Sequence, residues 1–393
     1  MDSAENASPL YGSARRRREG QPPDGVDPGP GPLVSVVLPV YNAAEFVGSA
    51  VRSVLDQSYG RIELLLLDDG STDGSTDILS DLAGNDPRIR LISRENRGLV
   101  ATLNEGLALA NGPLVARMDA DDIAHPERLA RQVAEFAADE GLAACGTGYD
   151  IAKAGRIMRR APEPLQTPET LTVLSMFYTI FIHPTVMFDR RVVGEDLRYD
   201  PRYPHAEDFE LFRRIARRHR CRLIPDSLLV YRVHAESVTG RHRREMRLTH
   251  LRIVTQNLRD DGFEGPLEPL LAFGETPHAA LAHRVGEIWR DLQGQAARKP
   301  SSLSGSYAAG LLNLFYFIYD LLIDQADPVA TSAFLDGAEG WSRIRRREAL
   351  ALRLDRRFAH GASPLVAASR RIDDAVFTLR SSPIAVGHPG FAT

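Results

Sequence analysis

Between residues 33 and 150, short runs of β-branched and aliphatic residues alternate with stretches carrying apolar residues at helical spacing. Val34–Leu38, Ile62–Leu67, Ile89–Ile92 and Leu114–Met118 read as strands buried on both faces, and Leu142–Gly148 as a fifth. Ala44–Asp56, Ser75–Leu82, Leu99–Ala110 and Pro126–Ala138 read as helices between them, Pro126 suiting a first turn. This alternation predicts an α/β domain built on a parallel, doubly wound sheet. Ligands of such sheets bind beyond the carboxyl ends of the strands. The residues that follow each strand are therefore the ones to inspect.

After about residue 150 the rhythm breaks. Ile180–Phe188 and Leu228–Val233 read as strands, with a helix over Glu207–His219 between them. Beyond about residue 240 the pattern is mainly α-helical and rich in Arg, through to about Arg380. The chain before residue 33 is rich in Gly, Pro, Ser and charge, and cannot bury a core. The expected organisation is a disordered tail over 1–32, an α/β domain over 33–240 and a helical extension over 241–393.

Composition narrows the setting. The 393 residues hold 48 Lys and Arg against 52 Asp and Glu, net −4, whereas a protein that coats nucleic acid is clearly basic. No nucleic-acid partner is expected. Lys153 and Lys299 are the only lysines, so Arg carries nearly all the positive charge. Cys145 and Cys221 stand in no CxxC pair; reduced thiols in a cytosolic protein are expected, and a structural zinc site is out of reach with this count. Arg15–Arg18 is followed by Gly, Pro and Asp rather than the apolar core of a secretory signal, which favours a cytoplasmic location. The longest apolar stretch, Ala308–Ile323, contains Asn313 and Asp320 and falls short of the ~20 residues of a bilayer span. A buried core helix or a homodimer contact is the expected use.

Chemistry concentrates at the strand ends. The first strand runs into Pro39-Val40-Tyr41-Asn42, the second into Asp68-Asp69-Gly70-Ser71-Thr72-Asp73, and the fourth into Asp119-Ala120-Asp121-Asp122. Clustered carboxylates repel one another unless a cation sits among them. Hard divalent cations take oxygen ligands and often bridge carboxylates to substrate phosphates. The run at 68–73 also suits a turn with a helix cap, and the two uses are compatible. A GxGxxG turn after the first strand and a Gly-Lys-Ser/Thr phosphate loop are both missing, which excludes a dinucleotide oxidoreductase and a P-loop enzyme.

Val36-Val37-Leu38-Pro39-Val40-Tyr41-Asn42, the Asp-Asp-Gly-Ser-Thr-Asp run, Asn96-Arg97-Gly98 and Met118-Asp119-Ala120-Asp121-Asp122 together resemble family 2 of the inverting glycosyltransferases, over about residues 33 to 240. The resemblance implies a GT-A fold, a nucleotide-sugar donor (a UDP-sugar first, dTDP- or GDP-sugars next) and Mn²⁺ or Mg²⁺ as cofactor. It implies that Pro39, Tyr41 and Asn42 wall the nucleotide pocket, that Asp68 or Asp69 meets the uracil or ribose, and that Arg97 belongs to the donor site. Asp119 and Asp121 correspond to the DxD motif, Asp119 facing the ribose and Asp121 the metal; Asp122 is the alternative metal ligand.

An inverting transfer needs a base for the acceptor hydroxyl. Ala206-Glu207-Asp208-Phe209 resembles the family's Glu-Asp motif, with Asp208 as base and Glu207 on the acceptor side; a helix-capping role is the alternative. His183 in His183-Pro184-Thr185 falls where the family has its acceptor side. His234, in Tyr231-Arg232-Val233-His234, falls where some relatives complete the metal site, and Arg232 could pair with a diphosphate. The implied acceptor is a glycan or lipid-linked sugar in surface polysaccharide assembly. The Arg runs at 213–222, 241–247 and 345–347 are either solvated helix faces or a peripheral contact with anionic lipid. The reading from a different class is a noncatalytic nucleotide-sugar-binding or scaffold protein, against which the intact acidic motifs speak.

Overall fold

A computed structural model describes residues 31–160, 162–234, 242–275, 277–325, 327–346, 348–350, 352–353 and 382–383. The expected tail, apart from residues 31 and 32, and the expected helix over 354–380 lie outside the described residues.

Four strands, β1 (Val34–Val40), β2 (Ile62–Asp68), β3 (Ile89–Ser93) and β4 (Leu114–Arg117), run parallel in the order β4-β1-β2-β3. Helices α1 (Val47–Leu55), α2 (Ser75–Asn85) and α3 (Leu99–Leu109) make the crossovers. The unbroken apolar runs follow from burial on both faces. Val34, Val36, Leu38 and Val40 meet Val47 and Val51 of α1 and Leu79 of α2 in one core. Val37, Leu65 and Leu67 meet Leu103 and Leu107 of α3 in another. Each side chain so buried contributes about 1.5–3 kcal/mol.

The remaining strands depart from the parallel expectation, and the sheet is mixed. After β5 (Ile123–Ala124) and α4 (Arg128–Ala138), β6 (Leu142–Lys153) and β7 (Arg156–Met158) form a hairpin. Helix α5 (Pro168–Leu174) starts at a Thr167 cap and Pro168. β8 (Met187–Asp189) then inserts antiparallel between β4 and β6. The strand expected over 180–188 shrinks to these three residues, because Pro184 closes a 3-10 turn over His183–Thr185. The antiparallel direction has a consequence: the segment leading into β8 lies at the carboxyl edge of β4, and His183 with it.

α6 (Arg190–Val193) and α7 (Glu207–Arg218) follow. β9 (Arg220–Val233) is longer than the expected strand and runs parallel to β6 with register shifts opposite Thr147 and Gly148. Pro225 and Asp226 at that irregularity interrupt the apolar pattern, which is why only the second half reads as a strand. β10 (Ser382–Pro383) pairs with β7.

Helices α8 (Arg243–Asp260), α9 (Glu268–Glu275), α10 (Ala279–Ala296), α11 (Ser301–Asp324) and α12 (Pro328–Gly337) build a third core around Trp289, Phe315 and Phe334. That core takes in Met176, Phe177, Ala206 and Phe209 of the sheet domain. His250 bonds the Phe177 carbonyl at 3.0 Å, and Asn257 donates to that of Met176 at 3.0 Å. Among the described residues, α11 is long and apolar enough to cross a membrane by length and composition. Its Leu311, Leu314, Phe315, Ile318 and Leu322 are buried in the helical core. Much of the first two Arg runs is paired with acids: Arg214 with Glu210, Arg217 with Asp260, Arg218 with Asp196, and Arg243 and Arg247 with Asp324.

Candidate donor and metal site

The carboxyl edge of β1, β2 and β4 gathers the residues singled out above. Pro39 is buried in β1, opposite Leu67 of β2. Val37 O accepts from Met118 N, so alternate residues of β1 point toward β4, whose ladder ends at Arg117. Pro39 thus faces a side with no ladder bond to lose. Tyr41 follows with 53% of its surface exposed. Asn42 adopts φ 50°, a left-handed conformation that Asn tolerates.

The 68–73 run works first as scaffolding for that turn. Asn42 Oδ1 accepts Thr72 N–H at 2.8 Å, Ser71 Oγ accepts Asn42 N–H at 3.1 Å, and Asp73 Oδ2 accepts Ala44 N–H at 2.9 Å. Asp68 is buried and spends its two oxygens on Ser71 N–H and the Thr76 hydroxyl, at 3.0 and 2.6 Å. Asp69 is buried too: it accepts the N–H groups of Arg97 at 2.8 Å and Gly98 at 2.9 Å, and pairs with Arg94. The Arg97 side chain stays exposed at this rim. Gly70 has φ 76°, and a Cβ there would stand 2.8 Å from Asn96 N; the two loops approach too closely for a side chain. Asp68 and Asp69 therefore reach a ligand only through lone pairs left over from these bonds.

Beyond β4 the three carboxylates of 119–122 converge, one oxygen from each lying within 4.8 Å of the others. They are not equivalent. Asp119 pairs with Arg117, yet burial still raises its carboxyl above the ordinary range. Asp121 Oδ2 lies 2.9 Å from His234 Nε2. Asp122 is fully buried; its Oδ1 accepts Arg232 N–H at 2.9 Å and its Oδ2 has no hydrogen-bond partner. Burial, with Asp119 and Asp121 beside it, pushes Asp122 well up. The end of β9 wraps this segment: Arg232 Nη1 donates to Ser49 Oγ at 3.1 Å and to Asp121 O at 2.9 Å, and its guanidinium lies 5.4 Å from the Phe46 ring. Phe46 also flanks His234, centroids 4.9 Å apart.

The donor set fits a hard divalent cation. Arg117 already neutralises Asp119. Asp121 and the orphaned buried oxygen of Asp122 remain, with His234 beside them.

Arg117 is the residue that sequence reasoning missed. It is buried, and its charge holds because Asp119 and Asp122 outweigh the burial that opposes it. Its field also reaches Glu207, Asp208 and His183. Arg128, equally buried, donates to Arg117 O at 2.7 Å from below. A charge inside the apolar run Leu114-Val115-Ala116-Arg117-Met118 was the available signal.

The first turn of α7 brings Glu207 and Asp208 to the same edge. Glu207 is buried and pushed up to about 7 by burial and by the neighbouring Asp208. Asp208 is half-buried, raised by burial, and accepts Phe209 N–H at 2.7 Å. His183 Nε2 lies 2.7 Å from the Tyr199 hydroxyl, and burial with Arg117 nearby keeps the imidazole neutral. Tyr199, which had no role in the sequence reading, is buried and its phenol stays protonated.

Residues 35–196 match the family "Glycosyl transferase family 2". The chain is 29% identical over 241 residues to an uncharacterized glycosyltransferase of Haemophilus influenzae, covering 58% of this chain and 73% of that one. It is 38% identical over 170 residues to TuaG of Bacillus subtilis, a glycosyltransferase named for teichuronic acid biosynthesis, covering 42% of this chain and 65% of that protein. Less than two thirds of TuaG is thus spanned. Among solved structures, S. aureus TarS 1–349 in complex with UDP-GlcNAc superposes with a TM-score of 0.50 at 14% identity, covering 79% of this chain and 91% of that one. That likeness shows the fold. Residues 35–196 thus form a glycosyl transferase family 2 domain, and the chain is a glycosyltransferase of the GT-A fold.

Proposed function

We propose that the chain moves a sugar, with inversion, from a UDP-sugar to a hydroxyl of a glycan or lipid-linked acceptor in surface polysaccharide biosynthesis, on the cytoplasmic side, with Mn²⁺ or Mg²⁺. The observation that carries this reading is the convergence of Asp119, Asp121 and Asp122, with His234 on Asp121, beside a buried arginine, Arg117, whose charge acts on both Asp119 and Asp208. The similarity to TuaG, a glycosyltransferase named for teichuronic acid biosynthesis, supports the polysaccharide assignment.

Asp121 and Asp122, with His234, would hold the cation. Bound there, it would supply positive charge where a nucleoside diphosphate gains negative charge on leaving. The protein's own residues do the rest. Arg117 opposes the burial that disfavours the Asp119 charge, and orients its carboxylate. Tyr41 offers an exposed ring against a nucleobase. Asp208 takes the proton from the acceptor hydroxyl, and burial raises its proton affinity above the ordinary carboxylate range. Neutral His183, held by Tyr199, borders the acceptor side.

The test is a donor panel of UDP-, dTDP- and GDP-sugars offered to the full chain with Mn²⁺ or with a chelator. Mass detection follows the transferred sugar, and NMR reads the anomeric configuration of the product. Transfer from a UDP-sugar with inversion, lost on chelation and reduced roughly 10²- to 10⁴-fold by Asp208→Asn, is expected. Full turnover in Asp121→Ala would sink the metal site, and a retained anomeric configuration the mechanism.

A further inference from the structure

A second group of metal-ligating side chains lies outside the donor site. His205, just before α7, His242, at the start of α8, and Glu245, one turn further on, each place one ligand atom within 4.8 Å of the other two. His205 Nε2 stands 3.3 Å from Glu245 Oε2, and His242 Nδ1 stands 4.0 Å from the same oxygen. Zinc bonds of about 2.0–2.1 Å in a tetrahedron set ligand atoms about 3.4 Å apart. The His205–Glu245 separation already has that size, and the other ligand atoms lie within 4.8 Å, a gap that side-chain rotation covers.

The arrangement is more than an ion pair. An exposed His–Glu pair needs one imidazole, and such a pair contributes little to stability. Here two imidazoles stack face to face, centroids 4.1 Å apart and planes 11° from parallel. Two cations would not stay so close, so at least one ring is neutral and offers a nitrogen lone pair. Sequence spacing supports the same reading. His242 and Glu245 are three apart and share one face of the first turn of α8. His205 adopts φ 60°, an uncommon conformation for a residue with a side chain. His, His and carboxylate with room for water is the ligand set of an open zinc site.

We propose that His205, His242 and Glu245 form a second divalent-metal site, of zinc chemistry, separate from the carboxylates at 119–122. The bound ion ties the entry of α7, where Glu207 and Asp208 follow His205, to the entry of α8 in the helical region. It is a staple between the sheet domain and the helices, with three protein ligands and a fourth position for water. The proposal does not depend on which sugar donor the chain uses.

Zn²⁺ alone, titrated calorimetrically into the chelator-stripped full chain carrying Asp121→Asn, tests it, because that background weakens the carboxylate site. One equivalent is expected to bind and to raise the midpoint of thermal unfolding. Adding His242→Ala or Glu245→Gln, both at exposed positions, should weaken binding at least tenfold and abolish the rise. His205→Asn, which tolerates the left-handed backbone, should do the same. Co²⁺ alone should give visible absorption bands of imidazole ligation that vanish with His242→Ala. Zn²⁺ affinity left unchanged by both His242→Ala and His205→Asn, or no Zn²⁺ binding in the Asp121→Asn chain, would overturn the site. Circular dichroism of each variant confirms that the loss is not unfolding.

Discussion

His234 Nε2 lies 2.9 Å from Asp121 Oδ2, a contact that spans 113 residues of sequence. It joins the end of β9 to the acidic turn after β4, and it makes a histidine on one edge of the sheet a neighbour of the carboxylates on another. A partner that orients a metal-ligating group typically changes metal affinity 10- to 100-fold when removed. His234→Ala should therefore raise the Mn²⁺ concentration for half-maximal transfer by about that factor while leaving the fold intact. A metal titration of activity reads this directly, and an unchanged midpoint would remove His234 from the site.

Arg117 is a buried cation facing Asp119, with Asp122, Glu207 and Asp208 in its field. Removing one partner of a buried ion pair leaves an uncompensated charge, at about 3–5 kcal/mol. Arg117→Met should lower the free energy of urea unfolding by that amount at neutral pH. Part of the loss should be regained in acid, where Asp119 is protonated. A change below about 1 kcal/mol would mean that Arg128 alone holds the carboxylates.

Glu207 titrates in the fold at about 7, above its ordinary 4.5, because burial and Asp208 disfavour its charge. The folded state therefore binds this proton more tightly than the unfolded chain does. The stability this contributes is complete below about 4.5 and is lost as pH rises through about 7. Glu207→Gln keeps the neutral form at every pH. It should be more stable than the parent by on the order of 2 kcal/mol at about pH 8 and about equal at about pH 4.5. Urea unfolding at both pH values in chelator measures the difference. The carboxyl pair titrates as a unit, so the variant should also shift the acid limb of the transfer rate to lower pH.

Gly310 on α11 stands against Phe177, where an added Cβ would come within 2.1 Å of the ring. Phe177 is fully buried in the core shared by the sheet domain and the helices. Gly310→Val should cost about 1–3 kcal/mol by overpacking, and Phe177→Ala in the same chain should return part of it. Thermal melts of the single and double variants decide it; independent, additive effects would show that α11 does not pack there.

Much of the sheet was legible because burial on both faces leaves a simple mark, the unbroken runs at Val34–Leu38 and Ile62–Leu67. The direction of β8 was not. Three residues after Pro184 carry no period, and whether they run with or against β4 depends on where the chain returns from β7. The paired arginines of α7 and α8 had the same limit: composition marks them as basic, and only packing brings Asp260 to Arg217 and Asp324 to Arg247.

The sequence by itself determined the α/β rhythm, the acidic motifs at strand ends and the family they resemble, because local periodicity and short-range motifs are written in neighbouring residues. The tertiary structure decided which carboxylates remain open. Asp68 and Asp69 spend their oxygens on loop N–H groups, the Thr76 hydroxyl and Arg94, Asp119 is held by Arg117, and Asp121 and Asp122 meet the end of β9. A carboxylate's chemistry is set by what stands within a few ångströms of it, and for these residues that neighbour lies as far as 113 positions along the chain.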